Sequence, residues 1–162
     1  MVWDVYRCRE TQGRLFEWMR NEIRKRSPEL TDLENYEEAR KYMSAPSKIG
    51  DEYCPPHLSG GAIDLTLYDM ATGNECDMGT IFDDCTEHAH SDYYERTTTI
   101  LDEENIKIRE RRRLLLSAME SVGFVRYQYE WWHFDIGDIF WSRITGRPPV
   151  FGPLFGDTEW PE

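Results

Sequence analysis

The sequence predicts an α+β fold in a single domain. Three observations carry this. Apolar side chains recur at helical spacing in separate stretches near residues 10–26 and 103–122. Between them, residues 62–69 alternate apolar and polar side chains with the period of two that a half-buried strand requires. At 162 residues the chain has the length of one domain, enough to bury a core without cross-links.

In chain order, Leu15, Phe16, Met19 and Ile23 define the apolar face of the first helix, which Ser27-Pro28 ends. Thr31 or Asp32 can cap a second helix running to about Met43, before Ala45-Pro46. Gly60-Gly61 opens the strand at 62–69, where Ile63, Leu65 and Leu67 share one face and Asp64 takes the other. Residues 71–102 read as polar loop, with a tight turn at 71–74. Asp102 caps the third helix, Leu115, Met119 and Val122 form its apolar stripe, and Gly123 ends it. Residues 124–129 and 131–136 read as aromatic-rich strands, and 148–162, with Pro148, Pro149, Gly152, Pro153 and Gly156, as an irregular tail.

The formal charge is −12, and it is concentrated: residues 51–105 carry 14 acidic side chains against Arg96 alone. Such a chain repels a phosphate backbone, so no nucleic-acid partner is expected. Arg109, Arg111, Arg112 and Arg113 are read as helix-surface cations that pair with the acidic middle. No run approaches the roughly 20 apolar residues of a membrane span, so no membrane partner is expected. The first ten residues lack the apolar core of a signal peptide, which makes the cytoplasm the expected address. Hydrophobic residues at 40% and aromatics at 14% exclude disorder.

The four cysteines, Cys8, Cys54, Cys76 and Cys85, are expected to be free thiols. Cys54-Pro-Pro-His57 and Cys85-Thr-Glu-His88-Ala-His90 also offer soft ligands at the short spacing of a structural zinc site.

A second metal pattern is more suggestive. His57 and Asp64 stand in the form H-x-x-G-x-A-x-D, and Glu130 and His133 in E-x-x-H. Two histidines and an aspartate can hold a catalytic zinc and leave one position open. A nearby glutamate outside the coordination shell can then take a proton from water. On a regular strand Glu130 and His133 would point to opposite faces, so the chain must bulge or turn at Trp131-Trp132. Each residue alone has an ordinary structural explanation; the combination, in this order, points to chemistry.

These segments resemble the VanX-type D-alanyl-D-alanine dipeptidases of the M15 zinc-peptidase group. The likeness runs from Trp3-Asp4-Val5-Tyr6-Arg7 to about Phe134. It includes GxAIDLTLY at 60–68, MGxxFD at 78–83, RRRLLLSAMESVGF at 111–124 and EWWH at 130–133. The resemblance implies a small antiparallel sheet flanked by helices, as in the hedgehog-like zinc peptidases, and one zinc per chain held by His57, Asp64 and His133. Glu130 matches the general base and Arg7 the arginine that stabilises the transition state. Asp83 matches the residue that binds the free amino group of a D-amino-acid dipeptide. The implied role is hydrolysis of D-Ala-D-Ala or a related dipeptide, in cell-wall peptide metabolism or glycopeptide resistance.

Two departures from the family pattern stand out. Family members carry several dozen residues ahead of the segment at 4–7, so the sequence reads as an N-terminally short member. Pro55 replaces the serine often found two positions before the first zinc histidine, removing one polar contact to substrate. The alternatives are a peptidoglycan carboxypeptidase or endopeptidase of the same group, and a non-catalytic zinc-binding remnant.

Overall fold

The computed structural model describes residues 1–48, 50–96 and 102–154. A four-stranded antiparallel sheet lies at its centre, in the order β1-β2-β6-β5: β1 (Val2–Asp4), β2 (Ala62–Leu65), β6 (His133–Asp135) and β5 (Val125–Arg126). A separate hairpin pairs β3 (Tyr68–Asp69) with β4 (Asn74–Glu75). The described residues also form five α-helices, α1 (Arg9–Arg26), α2 (Asp32–Ala39), α3 (Pro56–Ser59), α4 (Glu103–Ser121) and α5 (Ile139–Thr145), and two short 3-10 helices at Glu87–Ala89 and Tyr93–Glu95. None of them is long and apolar enough to cross a membrane. The α+β class with a small antiparallel sheet is the one the sequence predicts.

Helix α1 buries Phe16, Met19 and Ile23 at i, i+3 and i+7, and packs them on Ala39, Leu30 and Tyr36 of the α2 region. Thr31 starts α2 with a capping box: its hydroxyl accepts from the Glu34 amide at 3.3 Å, and the Glu34 carboxylate accepts from the Thr31 amide at 2.9 Å. This helix ends at Ala39, short of the expected Met43, and continues only as turns.

The strand expected over 62–69 is divided. Residues 62–65 pair with β1 and β6, and after Thr66-Leu67 the chain enters the hairpin. The sheet's two faces differ in character. Ile63, Leu65, Trp132 and Phe134 belong to the apolar core with Met78, Leu115 and Met119, under α4. Ala62, Asp64, His133 and Asp135 occupy the other face, and all four are buried. Alternation therefore separates the core from the polar site within the same strands.

Helix α4 departs from expectation at one position. Its buried side chains are Ile108, Arg112, Leu115 and Met119, one continuous stripe, whereas Val122 lies past the helix end and is exposed. Arg112 is not a surface cation. Its guanidinium is buried and donates to the carbonyls of Met78 (2.7 Å), His90 (2.9 Å) and His88 (2.9 Å). Main-chain oxygens rather than carboxylates satisfy it, and burial lowers its pKa to about 10. Arg113 does pair with the acidic middle, both its Nε and Nη2 reaching Glu95 at 2.7 Å. Residues 148–154 have no regular secondary structure, in keeping with the expected tail; 155–162 and 97–101 lie outside the described residues.

Candidate metal centre and active site

His57 comes from α3, a single turn that Pro56 initiates at its first position and Gly60 closes at φ 73°. Its Nδ1 lies 2.7 Å from the Val5 carbonyl oxygen, so Nδ1–H is the donor there and Nε2 is the nitrogen turned toward Asp64. That Nε2 faces Asp64 Oδ2 at 3.1 Å. Asp64 is the cross-strand neighbour of His133 in the β2–β6 ladder, and its Oδ1 lies 2.9 Å from His133 Nδ1. The three side chains are buried, and their candidate ligand atoms all lie within 4.8 Å of one another. Ligand bonds of ~2.0–2.2 Å in a tetrahedron imply ligand–ligand edges of roughly 3.3–3.6 Å. The two His–Asp64 distances, 3.1 and 2.9 Å, run to different carboxylate oxygens and are shorter than such an edge, so a small tetrahedral ion would fit with a slight opening of the group. Among the described residues, Cys54, Cys85, His88 and His90 do not join such a group. Cys54, Cys76 and Cys85 are free thiols.

The electrostatics follow from this crowding. Burial acts to raise the pKa of Asp64, but the hydrogen bonds from His133 and His57 bring it down to about 2. Burial would lower the pKa of His133, yet Asp135 and Asp64 on its two sides hold it well above the usual histidine range.

Glu130 reaches the same place by the expected departure from strand geometry. Residues 131–132 form a turn ahead of β6, and Glu130 Oε2 lies 3.8 Å from His133 Nδ1. Burial raises the pKa of Glu130; His133 opposes the rise, while Asp64 and Asp83 add to it. The turn is braced from both sides. Trp131 Nε1 donates to Thr80 Oγ1 at 2.8 Å, and the Arg112 guanidinium lies over the Trp131 ring, 5.5 Å from its centroid.

Arg7 is held at the end of β1. Its Nε and Nη2 both reach Asp4 Oδ2, at 2.8 and 2.6 Å, and Nη1 donates to Gln12 Oε1 at 3.1 Å. The Arg7 amide donates to the His57 carbonyl at 3.1 Å, which ties this segment to α3. Asp83 is exposed and sits at φ 61°, the left-handed region that Asp tolerates better than most residues. Partial burial raises its pKa, as do Asp64 and Asp4, while Arg7 and His57 act the other way. All six residues singled out from the sequence thus form one neighbourhood.

The sequence reading missed three further residues here. Gln12 is buried on α1; its amide accepts from Arg7 and donates to the Ser44 carbonyl at 2.6 Å. Asp135, two residues beyond His133, accepts from its Nε2 at 3.0 Å. Asp138 caps α5 by accepting from the Trp141 amide at 2.7 Å. Burial, together with the neighbouring Asp135, pushes the Asp138 carboxyl up to about 7. The parity of 133 and 135 was a usable signal for Asp135, and Asp138 with Gly146 marks out α5. Nothing in the sequence distinguished Gln12 from a surface residue.

Two buried histidines and a buried aspartate, with a second carboxylate alongside, are the donor set of a metal-dependent hydrolase site on an α+β frame. The chain belongs to the peptidase M15 family: the family model described as D-ala-D-ala dipeptidase matches residues 1–145. The chain is similar to a D-alanyl-D-alanine dipeptidase of Enterococcus faecium, 31% identical over 143 residues, covering 85% of this chain and 62% of the relative. It is also similar to those of Synechocystis (38% over 91 residues; 54% and 36%) and Escherichia coli (42% over 81 residues; 49% and 37%). The chain therefore spans about a third to three fifths of the length of these relatives.

Proposed function

We propose that this protein is a zinc dipeptidase that hydrolyses D-Ala-D-Ala or a closely related D-amino-acid dipeptide. The observation that carries the reading is the buried convergence of His57, Asp64 and His133 with Glu130 at 3.8 Å, in a chain of this family. In this reading His57 Nε2, an Asp64 oxygen and His133 Nδ1 are the zinc ligands. Zinc held there would polarise a carbonyl and make water acidic near neutral pH.

The protein's own groups supply the rest. Glu130 takes the proton of the attacking water and returns it to the departing amine. Its raised pKa suits both halves of that transfer. The Arg7 guanidinium, fixed by Asp4 and Gln12, offers N–H donors to the oxyanion that develops at the scissile carbonyl. Asp83 receives the dipeptide's ammonium, which relieves the repulsion between Asp83 and Asp64. The proposed setting is the cytoplasm, where Cys54, Cys76 and Cys85 stay reduced, and the product enters cell-wall peptide metabolism or serves glycopeptide resistance.

The test is a substrate comparison with the zinc-loaded protein: D-Ala-D-Ala, L-Ala-L-Ala and a peptidoglycan pentapeptide ending in D-Ala-D-Ala. Release of D-alanine from the first alone supports the reading. Turnover of the pentapeptide alone would replace it with a carboxypeptidase. One bound zinc with no turnover of any of the three would make the protein a binding remnant.

A further inference from the structure

Beneath His133 lies a second carboxylate that the reaction above does not use. Asp135 shares a face of β6 with His133 and is fully buried, at 0% exposure. Its Oδ1 is 3.0 Å from His133 Nε2, the ring nitrogen turned away from the ligand group; Nδ1, turned toward it, is 2.9 Å from Asp64. The backbone of Asp135 is locked on both sides, pairing with Ala62 of β2 and Val125 of β5. Its carboxylate therefore has little freedom to leave the ring. Asp135 Oδ2 makes no close hydrogen bond among the described residues, so the imidazole, with the Asp138 carboxyl beside it, is what compensates for burying this charge.

We propose that Asp135 is the positioning residue for His133. A neutral imidazole carries one N–H, and the partner of one nitrogen decides which lone pair the other presents. By accepting Nε2–H, Asp135 leaves Nδ1, hydrogen-bonded to Asp64 in this structure, as the nitrogen that would give up its proton to bind a metal. The Val5 carbonyl does the converse for His57, holding Nδ1–H and freeing Nε2. The two histidines thus present opposite nitrogens, each fixed from behind. A free imidazole would divide between two tautomers and could rotate; Asp135 removes both freedoms. The proposal rests on the zinc reading and adds to it a residue outside the ligand set.

The experiment is a zinc competition titration of the full chain against a chromophoric chelator, wild type beside Asp135→Asn. A long-range ¹H–¹⁵N correlation spectrum of the zinc-loaded wild type accompanies it. The expected result is a 10–100-fold weaker zinc affinity in D135N, the range typical for loss of such a partner. In the spectrum, His133 should carry its proton on Nε2, with the metal-bound shift on Nδ1. A purely structural role for Asp135 would lower the unfolding midpoint and leave both readouts alone. If D135N does not fold, the wild-type spectrum decides: a proton on Nδ1 with Nε2 bound overturns the proposal. Equal affinities in a pair that both take up zinc overturn the proposal and leave the dipeptidase reading standing. A wild type that takes up no zinc overturns both.

Discussion

The Val5 carbonyl oxygen accepts from His57 Nδ1 at 2.7 Å, and two residues later the Arg7 amide donates back to the His57 carbonyl at 3.1 Å. This reciprocal tie joins the end of β1 to α3. It sets the tautomer of one candidate ligand and the origin of the candidate oxyanion donor in a single stroke. The guanidinium then reaches Asp4 and Gln12 together, which requires its fork geometry.

Arg7→Lys tests that geometry. An ammonium keeps the charge but cannot span Asp4 and Gln12 while presenting a donor to substrate. The expected outcome is a fall in kcat/KM on D-Ala-D-Ala of roughly 10²–10³, the usual cost of one oxyanion donor, with zinc content unchanged. Steady-state kinetics and metal analysis of the purified variant check it. A variant as active as wild type would remove Arg7 from the reaction.

Arg112 should matter for stability more than any other arginine described. It satisfies three buried carbonyls and stacks on Tyr94, with its guanidinium 4.8 Å from the ring centroid. Each buried acceptor left without a donor costs about 1–3 kcal/mol. Arg112→Met should therefore lose at least ~2 kcal/mol in urea unfolding. Arg112→Lys should recover little, because a point charge cannot meet three divergent oxygens. A full recovery by lysine would mean that charge, not the fork, is what the site needs.

The pH dependence of stability should carry the signature of Asp138. Its carboxyl titrates at about 7 in the folded protein, against roughly 3.9 for an unfolded aspartate. A raised folded pKa favours the protonated form. The group leaves stability intact below about pH 4, and stability is lost progressively as pH rises toward 7. Asp138→Asn removes the ionisation and keeps the cap on α5, since asparagine caps as well as aspartate. Thermal melts of both zinc-free proteins should coincide near pH 4 and separate in favour of D138N by pH 8. Parallel melts at all pH values would contradict the assignment.

The helices and the sheet were legible where one physical signal dominated. Phe16, Met19 and Ile23 announced α1, and Thr31 was one of the two caps offered for α2. Signals that compete were misread. Arg112 completes the stripe Ile108–Leu115–Met119 by spacing, but its charge argued for the surface, and only the three converging carbonyls explain its burial. The alternation over 62–69 is genuine, yet it could not reveal that pairing partners change after Leu65. For the site, the turn at Trp131-Trp132 followed from the E-x-x-H spacing and strand parity alone. Gln12 and Asp138 stayed hidden because their roles depend on what lies behind a neighbour in space: Ser44 for one, Asp135 for the other.

The most direct test of the account is the rate of D-alanine release from D-Ala-D-Ala by the zinc-loaded protein, measured beside Glu130→Gln at equal zinc content. Glutamine matches the shape of glutamate but cannot accept a proton from water. Loss of a positioned general base costs typically ~10²–10⁴ in rate. The account predicts turnover by the wild type, a loss of that order in E130Q, and one zinc bound by each. Equal turnover by the two proteins, or none by a wild type holding its zinc, would contradict it.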